Sequence, residues 1–208
     1  MIELGSTGLW QPAPASSVGA RYTAAAEVTL PILYEHVRGW DVVVQAGCHI
    51  GVWPRLLCER FAKVLTFEAD HDNLECARRN LDGYDNIVLT EAALSDCEGM
   101  VGWEHSTSNT GKHRPSPDGK GELVKAVTID SLDLYALDAL ALDIEGHELF
   151  ALKGAARTIE RFSPAVLFED NGRCRRYGVA SDGVQQWLSQ RGYAEVARVF
   201  DDRIWSRT

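Results

Sequence analysis

From residue 41 onward, short apolar runs and helical stretches alternate along the chain. Residues 41–46 (DVVVQA) form a brief, β-branched apolar run, the pattern of a strand buried on both faces. Residues 53–61 read as a helix, 64–68 (VLTFE) as a second strand, 72–81 as a second helix and 86–92 (NIVLTEA) as a third strand. After an interruption the alternation resumes with a strand at 140–143, a helix over 147–161, a strand at 165–169 (AVLFE) and a helix over 181–191. Such a series predicts an α/β fold: a mostly parallel sheet with right-handed crossovers and helices on both faces. At the end, 193–200 and 203–205 flank Asp201 and Asp202 and predict an antiparallel hairpin closing the sheet edge.

Two segments depart from this rhythm. The first twenty residues contain Gly5, Gly8, Pro12, Pro14 and Gly19 and predict an irregular arm rather than a helix. A helix over 23–38 follows, kinked or divided by Pro31 and stopped at Gly39. In the middle, strands at 100–105 and 122–128 flank 106–121, a stretch rich in Ser, Gly, Pro and basic residues that reads as a flap. The expected organisation is therefore an arm over 1–22 and one domain over 23–208, with the flap inserted at about 99–128. Within the arm, Trp10, Arg21 and Tyr22 are placed either to cover a site or to pack the sheet edge.

Composition narrows the class. The 208 residues are 45% hydrophobic and 25% charged, which fits one globular domain and excludes long disorder and coiled coil. Twenty-one basic residues against thirty acidic ones give a net charge of −9, which disfavours phosphate backbones and anionic membranes as partners. The five cysteines are odd in number with no CxxC pair, so they read as reduced thiols. No signal-like start and no run of about 18 apolar residues is present, so the expected compartment is the cytoplasm, with no membrane partner.

The candidate chemistry lies at the strand exits, where open parallel sheets bind ligands. The first strand leaves through Gln45, Ala46, Gly47, Cys48, His49, Ile50 and Gly51, two glycines four apart that permit a tight turn and a close ligand approach. A dinucleotide fingerprint needs GxGxxG, and Cys48 and His49 crowd the place of its second glycine, which counts against NAD. Glu68 ends the second strand, 21 positions after Gly47, where a carboxylate accepts from ribose hydroxyls. Together these point to a nucleoside without a pyrophosphate, a description that S-adenosylmethionine fits. The competing reading is a plain strand-to-helix turn and a solvated strand end.

Four stretches then carry a family likeness: VVVQAGCHIG at 42–51, TFEADHDNLECARRNL at 66–81, EAALSD at 91–96 and ALDIEGHELFALKGA at 141–155. In these the chain resembles the FkbM-type methyltransferases, a branch of the class I S-adenosylmethionine-dependent enzymes. The resemblance implies a Rossmann-like class I fold, with a seven-stranded sheet containing one reversed strand and the cofactor across the first three strand ends. It also implies roles. Gly47 and Gly51, with Cys48 and His49 between them, form the methionine-side turn, Glu68 and Ala69 hold the ribose side, Glu91, Ala92 and Ala93 line the adenine, and Asp143 faces the transferred methyl. Gln45 departs from the family's usual aspartate and brings no charge to the cofactor's amino-acid end. Weaker binding, compensation by Glu3 or Glu27, and loss of catalysis are the three consequences open at this point.

For the reaction, Asp143 followed by Asp170 and Asn171 is similar to the magnesium ligands of catechol-type O-methyltransferases, and oxygen donors suit that ion. The alternative is that Asp143 and Glu145 favour a helix N-terminus and that Asp170, Asn171 and Gly172 make an ordinary turn. Without metal, Asp143 or His147 is the expected base. His49, His105 and His113 show no spacing that reads as a metal set. Lys112, His113, Arg114 and Lys120 in the flap, joined by Arg173, Arg175 and Arg176, suit an anionic or polyhydroxylated acceptor. The lack of interleaved aromatics there makes nucleic acid the less favoured partner. The expected activity is O-methylation of a small metabolite, sugar or glycan precursor, with a non-catalytic nucleoside-binding module or nucleic-acid methylation as alternatives.

Overall fold

A computed structural model describes residues 2–13, 18–106 and 109–207. The chain opens with β1 (Ile2–Leu4) and β2 (Trp10–Pro12), an antiparallel pair, and then α1 (Val18–Tyr34). Strand–helix alternation follows: β3 (Val42–Ala46), α2 (Val52–Leu57), β4 (Lys63–Glu68), α3 (His71–Asn80) and β5 (Ile87–Glu91). The middle contributes β6 (Ala93–Leu94), β7 (Gly99–Glu104), β8 (Arg114–Pro115) and β9 (Glu122–Val127). The last part comprises β10 (Ala139–Leu142), α4 (Glu148–Lys153), α5 (Ala156–Phe162), β11 (Ala165–Glu169), α6 (Gly183–Ser189), β12 (Tyr193–Val199) and β13 (Asp202–Arg207).

Seven of these strands form one sheet in the order β12-β13-β11-β10-β3-β4-β5. Only β13 is reversed among them, pairing antiparallel with both β11 and β12, as the resemblance implied. Successive side chains of a strand point to opposite faces, and here both faces are apolar. Leu140, Leu142, Val166 and Phe168 face the layer of α4, α5 and α6 through Leu152, Ile159 and Leu188. Their neighbours Ala139, Ala141, Ala165 and Leu167 face α1 and α2 through Leu30, Leu33 and Leu57. The alanines are small enough for those helices to lie close.

Three expectations change. In its described part the arm is not irregular, while the expectation at 14–17 lies outside the described residues: residues 2–12 contain the small hairpin, tied to the end of α3 because Asn80 Oδ1 accepts from Trp10 N at 2.8 Å and Asn80 Nδ2 donates to Trp10 O at 2.8 Å. The expected helix over 147–161 is two helices. A Cβ at Gly154 would lie 1.9 Å from Ser95 O, so the chain can pass only as glycine and bends there. Finally, α1 starts before residue 23 and carries Pro31 inside its last turn without dividing. The strands within 93–127 form a separate four-stranded sheet, β6-β9-β7-β8. No helix among the described residues is long and apolar enough to cross a membrane.

This layering makes a stability prediction. Leu142→Ala, at a fully buried position of β10, is expected to lower the unfolding free energy in urea by about 2–5 kcal/mol. Leu123→Ala, 61% exposed on β9, is expected to stay within about 0.5 kcal/mol of the parent; equal losses at both positions would contradict the layering.

Candidate functional site

Strand order reverses beside β3: the chain runs outward from it to β4 and β5, then returns to lay β10 and β11 on its other side. Neighbouring strand exits diverge at such a point and leave a crevice. Gly47 sits in it with a left-handed φ of 78°, and a Cβ there would lie 1.8 Å from Asp143 O. Only glycine lets these two loops touch. Both Gly47 N and Cys48 N donate to Phe67 O at 3.1 Å, which folds the turn back over β4.

The turn then meets the acid. His49 N donates to Glu68 Oε2 at 2.8 Å, while Ala69 N and Asp70 N donate to Glu68 Oε1 at 3.0 and 2.8 Å. Burial pushes the Glu68 carboxyl up to about 7, with the main-chain donors pulling the other way. Turn and carboxylate therefore share the wall of one cavity. Its roof comes from α1 and the flap. Tyr22 lies with its ring 5.1 Å from that of His49, His49 Nε2 and Thr110 Oγ1 share a hydrogen bond of 2.9 Å, and Asn73 Nδ2 donates to Thr110 O at 3.0 Å.

On the other side of Gly47 stands a rack of carboxylates. Asp143, Glu145 and Glu169 bring oxygens within 4.8 Å of one another. Arg173 Nη1 donates to Glu145 Oε1 at 2.7 Å and to Glu169 Oε2 at 3.2 Å. Burial, followed by the charge of Glu169, holds the Asp143 carboxyl well above its usual range, and burial pushes Glu145 up to about 7 against the pull of Arg173. Glu145 has a left-handed φ of 62°, rare for a side-chain-bearing residue, and its buried Oε2 has no partner. The bend is fixed from below, where Glu148 Oε1 accepts from Ile144 N and Gly146 N, each at 3.1 Å.

Of the residues expected from sequence, Gly47, Cys48, His49, Glu68, Ala69, Ala92, Ala93, Asp143 and His147 line the one cavity. Three cofactor candidates do not. The carboxamide of Gln45 bonds to Thr66 Oγ1 and faces a smaller cavity shared with Trp53 and Asp202. Gly51 caps α2 with its Cα against Leu81, and Glu91 is exposed and paired with Arg78 at 3.0 Å. Glu27, considered as compensation for Gln45, borders a different cavity. Of Trp10, Arg21 and Tyr22, Tyr22 alone reaches the site, and Trp10 carries Arg79 stacked on its ring.

The expected magnesium set is likewise not assembled. Asp170 is ion-paired with Arg203 and accepts from Gln185 Nε2 at 2.9 Å, Asn171 is bonded to Glu169, and both border a cavity separate from the one Asp143 lines. His147 is present but buried, its Nε2 shared with Ser95 Oγ at 3.1 Å, and burial lowers its pKa to about 4. The histidine spacing concealed a further cluster: His105 and His113 meet Asp70, with His105 Nδ1 3.1 Å from Asp70 Oδ2. Ser106 N donates to His113 Nδ1, which leaves the proton on the Nε2 that faces Asp70.

Sequence reasoning gave no role to Glu169, Trp103 or Asn73. Glu169 carried a usable signal, ending its strand in the same way that Glu68 ends β4. Trp103 and Asn73 read only as strand and helix residues, and their place in the wall depends on the pairing of β7 with β9 and on the Asp70 cap of α3.

Comparison with known proteins bears on the family and the fold. The family model described as Methyltransferase FkbM domain matches residues 45–194. The chain is 27% identical over 142 residues to the hexuronic acid methyltransferase AglP of Haloferax volcanii, covering 65% of this chain and 59% of that protein. Among solved structures, a methyltransferase FkbM from Methylobacillus flagellatus superposes with a TM-score of 0.55 at 16% identity, over 92% of this chain and 55% of that one. SMU.1697c, a putative methyltransferase from Streptococcus mutans in complex with SAH, gives 0.54 at 12% identity, over 88% and 97%. These two likenesses bear on the fold. The chain thus spans little more than half the length of the first two relatives.

The buried acids predict a pH dependence. Glu68, Glu145 and Glu148 titrate near 4.5 when free and near 7 in the fold, so around neutrality the native state binds more protons than the unfolded chain. Stability then falls as pH rises through 7. The lowered histidines His49 and His147 oppose this only below their free value of 6.5. Urea unfolding midpoints are expected to drop between about pH 6.5 and about pH 8, and Glu145→Gln to flatten the drop; a rising midpoint would contradict the assignment.

Proposed function

The chain belongs to the methyltransferase FkbM domain family, and on that premise we propose that it transfers the methyl group of S-adenosylmethionine to a hydroxyl of a sugar or glycan precursor. The observation that carries the cofactor half is the hydrogen bond from His49 N to Glu68 Oε2, which brings glycine turn and acid to one cavity. A carboxylate offers about four acceptor sites, and three main-chain donors leave Glu68 capacity for a ribose hydroxyl. Nine buried side-chain polar atoms among the described residues lack a partner, and five of them, on His49, Asn73, Trp103, Glu145 and His147, belong to the lining of this cavity. Such atoms are costly unless a polar ligand meets them, so the lining fits a nucleoside rather than an apolar guest.

S-adenosylmethionine supplies an electrophilic methyl carbon on a cationic sulfonium. The chain supplies the rest. Asp143 and Glu145 in the cavity wall, with Glu169 within 4.8 Å of them, form an acidic side whose ionisation a sulfonium's positive charge favours, and the loop at 143–146 sets the line of approach. Glu145 is the base: its unpaired Oε2 can take the acceptor's hydroxyl proton, its other oxygen is held by Arg173, and its pKa of about 7 suits proton transfer near neutrality. Asp143 holds its own proton too tightly, and His147, at about 4, is too weak a base. The magnesium expectation has no assembled ligand set, and Arg173 bridges Glu145 and Glu169, so no step is assigned to a metal.

For the acceptor, the hexuronic acid methyltransferase relative suggests a carboxylated sugar. The rim agrees in charge. Arg173 borders the carboxylate rack, Lys112 and Arg176 lie close enough to act on Glu145, and Tyr177 OH donates to Pro115 O at 2.8 Å, docking the 173–177 turn against the flap. A non-catalytic nucleoside binder is the second reading, favoured by the uncharged Gln45.

Calorimetry separates these. S-adenosylmethionine and S-adenosylhomocysteine are expected to bind, and Glu68→Ala to weaken both by about tenfold or more, the worth of a charged hydrogen bond. Methyl-labelled cofactor with glucuronate glycosides is expected to give a base-stable labelled ether. Binding without transfer to any sugar would leave the non-catalytic reading, and absence of binding would overturn both.

A further inference from the structure

We infer that Trp103 reads the base of the bound nucleoside by donating its indole N–H to a ring nitrogen of adenine, an inference that rests on the adenosyl reading of the cavity. Trp103 is 7% exposed and comes from the auxiliary sheet, where β7 pairs it with Glu122 of β9 and Pro115 of β8. Its ring packs with Ala69 and Ala93, which follow β4 and β5. Across the main sheet the cavity wall runs from Gly47 beyond β3, through Glu68 on β4, to Ala92 and Ala93 beyond β5. A ribose at Glu68 whose amino-acid chain points to Gly47 sends its base the other way, onto Ala69 and Ala93. Both are too small to fill that end, and Trp103 closes it.

The indole nitrogen supplies the specificity. Trp Nε1 is a donor only, and at Trp103 it is buried with no acceptor in the protein. A phenylalanine would fill the same apolar corner without that cost, so the position carries a donor that packing does not need. Adenine offers acceptors at N1, N3 and N7. Among the five residues of the lining with an unpaired atom, Trp103 is packed against Ala69 and Ala93.

The test is calorimetry of the full chain and of Trp103→Phe with S-adenosylhomocysteine and its 1-deaza, 3-deaza and 7-deaza analogues. Loss of one hydrogen bond is expected to weaken S-adenosylhomocysteine about five- to tenfold in the variant. One of the three analogues, the one lacking the accepting nitrogen, is expected to bind parent and variant equally. If the variant binds S-adenosylhomocysteine as tightly as the parent, or if all three analogues lose affinity by the same factor, Trp103 only packs and the inference falls. Should Trp103→Phe fail to fold, 3-benzothienylalanine at position 103 preserves the shape while removing the N–H, and the same two outcomes decide. A parent chain that binds none of the four ligands would instead sink the adenosyl reading.

Discussion

The close passage of Gly47 against Asp143 O constrains everything at the crevice. Two parallel strands, β3 and β10, lie side by side, and the chain leaves both at the same level. Because residue 47 has no side chain, the first exit can curl over β4 instead of being pushed away from β10. That curl carries His49 to Glu68. Any larger residue at 47 would move the turn by more than a hydrogen bond can follow, so the whole wall depends on one missing Cβ.

Electrostatics divides the site into two ends with different tasks. At the β4 end a single carboxylate takes three main-chain donors and is held in place. At the β10 and β11 end one guanidinium bridges Glu145 and Glu169 beside Asp143, and burial raises all three carboxyls. The first arrangement suits recognition of a fixed neutral group. The second suits a cation and a departing proton, because Glu145, at about 7, can gain or lose charge at little cost. Roofing by Tyr22 and the flap limits water access to both ends, which strengthens the field that each can exert.

Much of the fold could be read from the sequence because a sheet buried on both faces writes itself as short, unbroken apolar runs. The strand at 165–169 coincides with β11, and 41–46 and 86–92 each differ from β3 and β5 by only a residue or two. What could not be read were contacts between distant segments. The split at Gly154 depends on Ser95, nearly sixty residues earlier, and the hairpin in the arm depends on Asn80. In the site, residues at strand ends were legible by position: Gly47, Glu68, Ala69, Ala92, Ala93 and Asp143 all reach the cavity. Glu91 and Gln45 obeyed the same positional rule and yet point elsewhere, because Arg78 and Thr66 offer them partners. The Asp170–Asn171 pair failed in the same way, since Arg203 on the reversed strand β13 claims the aspartate. Pairing across the sheet, not spacing along the chain, decided these cases.

The central claim is that the turn at 47–51 and the carboxylate of Glu68 hold one adenosyl group between them. A crystal structure of the chain grown with S-adenosylhomocysteine tests it most directly. The ribose hydroxyls are expected within hydrogen-bond distance of Glu68, with the homocysteine chain against Gly47 and the base toward Ala93. Electron density for the nucleoside on any other surface, with the space between Gly47 and Glu68 still bridged only by His49, would contradict it.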